Sequence, residues 1–152
     1  MRRILILIST FWVLLSPVSA QQQRSNVEVK LFLERFIRAF DDLDWETFRQ
    51  SFSDDATVFY PRAVPERANG RAEFEKSFKV IFDQIRAGRE KPPYMDLQPR
   101  NLTKQLFGDI AIVTLHLDDR AGFVNRRTIV LRRTPAGWKI VHLHASEVAT
   151  GY

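Results

Sequence analysis

Apolar positions in the first part of the chain recur every three or four residues, which is the spacing of one face of a helix. In residues 27–43 this stripe consists of Val29, Phe32, Leu33, Phe36, Ile37 and Phe40. Asp44 stands at the N-cap position of a second, shorter stripe made by Trp45, Phe48 and Phe52. The spacing returns in residues 73–86 with Phe74, Phe78, Ile81, Phe82 and Ile85, and Gly88 ends it. The pattern predicts three amphipathic helices.

The rest of the chain has the period of strands. Residues 57–60 form a short β-branched and aromatic run that Pro61 closes, and the turn pair Asn69-Gly70 follows. Further on, apolar and polar positions alternate in four runs, at residues 97–107, 110–118, 123–133 and 138–148. Glycine-containing turns separate these runs, as in hairpins. Helices followed by such a meander predict an α+β fold, with the helices covering one face of a curved antiparallel sheet.

Residues 1–20 have the pattern of a secretory signal peptide. Arg2 and Arg3 give a positive start, residues 4–15 are apolar, and Val18-Ser19-Ala20 offers small residues at a cleavage site. The apolar core is shorter than the roughly 20 residues that span a bilayer. We therefore expect an exported protein, periplasmic or secreted, that has no membrane contact after cleavage. Residues 21–152 are expected to form a single domain.

Composition excludes several classes of function. The net charge is +5, but two of the arginines belong to the predicted signal, and basic residues alternate with acidic ones. No nucleic-acid partner is therefore expected. The absence of cysteine excludes a disulfide framework, a thiolate zinc site and a cysteine nucleophile. No glycine-rich phosphate loop follows a strand and no strong metal cluster is present, so no cofactor is expected.

Two segments carry a family resemblance, LERFIRAFDDLDWETFRQSFSDDATVFYP near the start and GWKIVHLHAS near the end. In this order they resemble the nuclear transport factor 2-like superfamily, within it the ketosteroid isomerase and polyketide cyclase (SnoaL-like) branch. The last segment is also similar to the association domain of calcium/calmodulin-dependent kinase. The resemblance covers nearly all of residues 21–152. It implies a cone-shaped, cystatin-like fold around a pocket, with a small-molecule ligand and a homodimer, but it does not by itself define a function.

The catalytic positions of ketosteroid isomerase do not carry over to this chain. That enzyme uses an aspartate base and two donors to the developing oxyanion. The resemblance places Tyr60, Phe36 and Thr128 at these positions. Phe36 cannot donate a hydrogen bond, and a tyrosine with an ordinary pKa of about 10 is a poor base at neutral pH. Steroid isomerisation by that mechanism is not expected.

The strand register that the resemblance implies assigns side chains to the two faces of the sheet. The inward set is Tyr60, Thr114, His116, Asp118, Arg126, Thr128, Val130, Val141, Leu143 and Ala145. His142, His144 and Ser146 then lie on the outer face, where the resemblance places the dimer contact. Two imidazoles two residues apart could also chelate a metal, but a closed structural site needs four ligands and no third is evident. No metal site is predicted.

Three inward side chains offer chemistry. Arg126 would bind an anionic group, unless the register is shifted by one and Arg127 takes its place, or both arginines reach solvent at the mouth of the cone. Tyr60 would donate a hydrogen bond to a ligand carbonyl or serve as a core aromatic residue. His116 would move a proton or be a satisfied histidine at the rim of the core.

Three hypotheses about function follow. The first is a binding protein for a small anionic or carbonyl-containing molecule, held by Arg126 and Tyr60 in a pocket lined by Phe36, Thr114, Thr128, Leu143 and Ala145. The second is a cofactor-free isomerase, cyclase or dehydratase in which His116 moves a proton while Tyr60 and Arg126 stabilise the oxyanion. The third is an oligomerisation or accessory domain.

Overall fold

A computed structural model describes residues 17–60, 66–117 and 122–150. Within these residues the chain forms three helices, α1 (Pro17–Asp41), α2 (Trp45–Gln50) and α3 (Arg71–Ala87). It also forms six strands: β1 (Phe52–Phe59), β2 (Ala68–Asn69), β3 (Arg100–Phe107), β4 (Ile110–Leu117), β5 (Phe123–Thr134) and β6 (Gly137–Ala149). No helix in the described ranges is both long enough and apolar enough to cross a membrane.

The helix boundaries follow from local chemistry. The side chain of Asp44 accepts a hydrogen bond from the Thr47 backbone N–H at 3.1 Å and so caps α2, as predicted. Gly70 begins α3 with a φ of 78°, in the left-handed region that a residue without a Cβ adopts at low cost. Its N–H donates to the Ala56 carbonyl at 2.8 Å, which ties the start of α3 to β1. The turn predicted at Asn69-Gly70 is thus the junction of β2 and α3.

The strands form one curved sheet in the order β2-β1-β6-β5-β4-β3. The meander from β3 to β6 is antiparallel, whereas β1 pairs with β6 in parallel. The predicted α+β architecture is confirmed. One assignment is wrong: Phe52, expected on the second helix, is the fully buried first residue of β1, a strand that starts five residues before the predicted one.

The inner face of the sheet is apolar and lies beneath the helices. On β4 and β5 the buried side chains are Ala111, Val113, Leu115, Leu117, Ile129 and Leu131, all at odd-numbered positions. On β6 the buried side chains lie at even positions up to Ile140 and at odd positions from Leu143 onward. The cause is a β-bulge: Leu131 pairs with Ile140 but Val130 pairs with His142, so Val141 is an extra residue on β6. Trp138 and Ile140 therefore share the inner face with Leu143 and Ala145.

Helix α1 is held over the sheet by a polar cluster near its middle. Arg133 of β5 contacts Glu28 at 2.8 Å and donates to the Ser25 hydroxyl at 2.7 Å, while Trp138 Nε1 donates to Glu28 at 3.3 Å. Partial burial raises the pKa of Glu28, but these contacts and Arg24 outweigh it and hold the pKa below its usual value. The cluster fixes the helix whose C-terminal turns face the cavity described below.

Candidate ligand-binding cavity

The described residues enclose an apolar cavity of about 230 Å³ between the helices and the inner face of the sheet. The sheet contributes Leu115, Leu117, Ile129, Leu143 and Ala145 to its lining. Each of these side chains is buried, because strand alternation brings them to the same face. The floor of the cavity is thus hydrocarbon, with its smallest side chain at Ala145.

Aromatic side chains from the helices form the opposite wall. Helix α1 supplies Phe36, Ile37 and Phe40, and α3 supplies Phe78 and Ile81. Phe48 of α2 packs behind them, with ring centroids 4.7 Å from Phe78 and 5.4 Å from Phe36. Such interlocked rings hold a wall in place whether or not a ligand is present.

A loop closes one side of the cavity and brings Leu97 to the lining. The carboxylate of Asp41, at the end of α1, accepts hydrogen bonds from the backbone N–H groups of Met95 at 3.1 Å and Leu97 at 3.4 Å. The Asp41 carbonyl accepts a third bond from the Tyr94 N–H at 2.9 Å. Asp41 therefore fixes the loop that carries Leu97.

Tyr60 follows β1 and lines the cavity with its ring, which lies 5.2 Å from the ring of Phe78. The side chain is only 8% exposed, and its hydroxyl has no hydrogen-bond partner within the described part of the chain. Burial raises the pKa of Tyr60 to about 12, and Glu73 adds to this shift. Ser77 lies close enough to offset part of it, but its own hydroxyl donates to the Glu73 carbonyl at 3.2 Å. Tyr60 stays protonated at neutral pH and cannot act as a base there.

Two other polar side chains border the cavity, Gln84 of α3 and Arg127 of β5. Gln84 is exposed and marks the open side, whereas Arg127 is half-buried and extends from the inner face. Arg127 donates to the Arg126 carbonyl at 3.0 Å and lies 3.5 Å from Asn125 Oδ1. Arg127 brings the only formal charge to the lining formed by the described residues.

Five residues predicted to face the pocket lie on the outer face instead. They are the even-numbered Thr114, His116, Arg126, Thr128 and Val130, whereas the odd-numbered Leu115, Leu117, Ile129 and Leu131 are buried and apolar. The register carried over from the family was wrong by one residue on β4 and β5, and burying Leu115, Leu117, Ile129 and Leu131 decides the true register. The alternative register, in which Arg127 faces the cavity in place of Arg126, agrees with the structure.

This correction removes the predicted proton shuttle from the cavity. His116 Nδ1 lies 3.2 Å from the Asn101 side-chain amide on the opposite side of the sheet. Thr128, placed by the resemblance at a donor position, pairs with Thr114 and His144 across the outer face. Asp118 lies outside the described residues. Phe36, Tyr60, Leu143 and Ala145 do line the cavity, and their contact with a ligand stays a prediction.

Several lining residues were missed. Leu115 and Leu117 could have been found from the apolar alternation of residues 113–117. Ile129 lies in a continuous apolar run, and its face follows only from its pairing with Val113 of β4. Ile81 and Gln84 were harder to find, because the sequence shows which face of α3 is apolar but not where the helix lies above the sheet.

The outer face carries a second group of side chains, on β1 and β6. Thr57 Oγ1 lies 2.8 Å from His142 Nδ1, and the ring of Phe59 lies 5.3 Å from His144. Partial burial lowers the pKa of His142, and positive charge at His144 and Arg67 adds to the effect. Ser146 faces the same way. Among the described residues, no three histidine, aspartate or glutamate side chains come together as metal ligands would.

Helices that cover one face of a curved sheet, with an apolar cavity between them, define an α+β fold of the cystatin-like, NTF2-like type. Residues 29–150 match the family of SnoaL-like domains, and the chain belongs to that family. No match was found among curated proteins.

Solved structures share the fold. The chain is similar to a candidate dehydratase of the NTF2-like family from Streptomyces avermitilis, at 23% identity and a TM-score of 0.71, covering 85% of this chain and 99% of that chain. It is also similar to an NTF2-like protein with a cystatin-like fold from Novosphingobium aromaticivorans, at 18% identity and a TM-score of 0.68, covering 93% of this chain and 94% of that chain. The chain is similar to the CaMKII hub of S. rosetta at 24% identity and a TM-score of 0.58, covering 80% of this chain and 95% of that chain. At these identities the likeness shows the fold alone.

Proposed function

We propose that this protein binds a small, predominantly apolar molecule in the cavity and does not transform it. The observation that carries the proposal is a cavity of about 230 Å³ whose lining is almost entirely hydrocarbon and aromatic. Burying an apolar ligand there gains about 25 cal/mol per Å² of surface removed from water. A site of this kind, with few polar groups, is typical of ligand pockets.

The character of the lining argues for binding over catalysis. Among the described lining residues there is no carboxylate and no imidazole, the groups that most often transfer protons. Tyr60 has a pKa of about 12, too high for a base near neutral pH. His116, the proton carrier of the enzymatic hypothesis, lies on the other face of the sheet. Arg127 alone could stabilise an anion but could not start a proton transfer.

Export and dimerisation complete the proposal. The N-terminal pattern of Arg2-Arg3, an apolar core and small residues supports export to the periplasm or the medium. The outer face with Phe59, His142, His144 and Ser146 supports a symmetric pair of chains, since it combines aromatic and hydrogen-bonding side chains on a face that none of the described helices covers.

The binding proposal is tested with N-phenyl-1-naphthylamine, a neutral apolar dye that fluoresces when it leaves water. The purified protein is expected to bind the dye, and Ala145→Leu is expected to weaken binding at least tenfold by filling the cavity. Ala149→Leu, on the exposed end of the same strand, is the matched control and should bind as the wild type does. Circular dichroism shows whether both variants remain folded. Equal binding by Ala145→Leu and the wild type would contradict the proposal.

A further inference from the structure

The open side of the cavity leads into a groove on the surface of the protein. This groove has a volume of about 520 Å³ and lies beside α3. Ile81 and Gln84 line both the cavity and the groove, so the two spaces share a border. From that border the groove continues past Val80 and Lys76 of α3 toward Ala68 of β2. A molecule that extends out of the cavity past Gln84 therefore enters the groove.

The spacing of residues along α3 gives this helix two adjacent faces. Phe74, Phe78 and Phe82 are buried and form the face toward the core. A second stripe borders the groove and has the same three- and four-residue spacing, at positions 73, 76, 77, 80, 81 and 84. Ile81 is half-buried and lies where the two faces meet. The helix that forms one wall of the cavity thus also forms one wall of the groove.

The groove is apolar near the cavity and charged farther away. Val80 is 55% exposed, and among the large apolar side chains of the fully described helix α3 it alone is exposed. Lys76 lies two turns before Gln84, which is roughly 12 Å along the helix axis. Glu73 lies beyond Lys76 and accepts a hydrogen bond from the Asn69 N–H of β2 at 2.7 Å. The order along the groove is therefore hydrocarbon first and charged side chains second.

We propose that the ligand is a linear amphiphile that is longer than the cavity. The end of its hydrocarbon chain lies inside the cavity, the next part of the chain covers Ile81 and Val80, and its polar head lies in water near Lys76. This inference rests on the proposed function, because it assigns the ligand class of the same cavity.

Two observations carry this assignment. The cavity of about 230 Å³ is smaller than the roughly 300–1,000 Å³ of sites that enclose a drug-sized ligand, and the groove supplies the additional room. The exposed hydrocarbon of Val80 lies beside the mouth, so a chain that emerges there removes apolar surface from water on both partners.

The octyl and dodecyl ethers of pentaethylene glycol test the assignment, by displacement of the dye below their micelle-forming concentrations. They share one head and differ by four methylene groups. An uncharged head suits a groove with two acidic and two basic lining residues, Glu66, Glu73, Arg67 and Lys76. A fully buried methylene raises affinity about fourfold, so partial burial of four should make the dodecyl ether bind at least about tenfold more tightly to the wild type.

Val80→Gln is the decisive variant, because it replaces exposed hydrocarbon in the groove by a polar helix-forming side chain. It should weaken binding of the dodecyl ether by about fivefold and leave the octyl ether and the dye unaffected. Lys79→Gln, at the adjacent exposed position outside the groove lining, is the matched control and should bind all three as the wild type does. Should Val80→Gln fail to fold, Val80→Thr replaces it, since one methyl group becomes a hydroxyl at nearly the same volume.

The outcomes separate the two proposals. If the wild type and Val80→Gln bind the dodecyl ether equally, the chain ends within the cavity and the groove assignment is wrong. If Ala145→Leu leaves dodecyl ether binding unchanged, the groove does not continue the cavity and the proposed continuous site is wrong. If the dye binds the wild type and neither ether does, the amphiphile assignment fails while the proposed function stands. If neither ether nor dye binds the wild type, the proposed function itself fails.

Discussion

At the scale of single residues, Tyr60 shows how burial decides a role that its chemistry leaves open. The side chain was a candidate donor or a core aromatic. Its ring packs on Phe78, and its hydroxyl is buried without a hydrogen bond in the described part of the chain. A buried hydroxyl left unbonded costs roughly 1–3 kcal/mol. Tyr60 is thus retained at a cost in stability that a phenylalanine would avoid.

Tyr60→Phe is expected to stabilise the folded protein by about 1 kcal/mol at pH 7, because it removes the unbonded hydroxyl. The folded pKa of about 12 exceeds the ordinary value of 10.0, so the stability linked to this group is complete below pH 10 and is lost as the pH rises toward 12. The difference between variant and wild type should therefore widen by about 2–3 kcal/mol over that interval.

Urea unfolding at pH 7 and at alkaline pH measures this difference. Tyr94→Phe is the matched control, since Tyr94 is half-buried and lies outside the lining of this cavity. A less stable Tyr60→Phe protein would mean that the hydroxyl has a partner, with Ser77 the nearest group able to supply one.

At the scale of elements, the strands show which part of the site the sequence could predict. From Val113 to Leu117 apolar side chains occupy the odd positions and polar ones the even positions, so alternation indicates the inner face of β4. On β5 the run from Ile129 to Leu131 is continuously apolar, and its inner face follows only from the pairing with β4. The register carried over from the family reversed these faces. The local pattern was the better guide, because burial of hydrocarbon fixes register more strongly than resemblance does.

Other features of the site depend on contacts between elements and could not be predicted. The bulge at Val141 shifts the inward-facing side chains of β6 from even to odd positions. A regular strand alternation would not predict this shift. The position of α3 above the sheet, which brings Ile81 and Gln84 to the cavity, depends on tertiary packing. The same holds for Asp41, whose carboxylate bonds to a loop more than fifty residues away.

Asp41→Ala is expected to lower the free energy of unfolding by about 1–2 kcal/mol, since two backbone N–H groups lose a charged acceptor. The loop with Leu97 should loosen, and dye affinity should fall by several-fold. Hydrogen exchange at the Met95 and Leu97 amides gives a direct measure and should accelerate. Asp42→Ala is the control, because in the described chain no hydrogen bond to the Asp42 carboxylate is found. Unchanged exchange in Asp41→Ala would contradict this role.

At the scale of the whole molecule, the sheet places the two proposed sites on opposite faces. The inner face supplies an apolar cavity with one charged side chain among its described lining residues. The outer face carries aromatic, threonine and histidine side chains that none of the described helices covers. Successive side chains along a strand lie on opposite faces of the sheet, as those of Arg126 and Arg127 do. A one-residue error in register therefore exchanges the predicted ligand site with the predicted interface.

The proposed dimer gives the last test. A charge at His144 would be buried twice in a symmetric interface, next to Phe59, so His144→Glu is expected to convert a dimer into monomers. Acidification should act in the same direction. Partial burial in the single chain holds the pKa of His142 below its ordinary value of 6.5, so the folding stability linked to neutral His142 is present above that pH and is lost as the pH falls through the lowered pKa. In the proposed dimer a protonated His142 would place a second buried charge on the same face, so acid should also weaken the assembly.

Light scattering after size-exclusion chromatography measures both effects on the assembly. Gln98→Glu adds the same charge at an exposed position outside the outer face of the sheet and should leave the dimer intact. Because the cavity lies on the inner face, His144→Glu monomers should still bind the apolar dye, which would separate assembly from ligand binding. A dimer that survives both His144→Glu and acidification, or a wild-type monomer at neutral pH, would show that the outer face is not the interface.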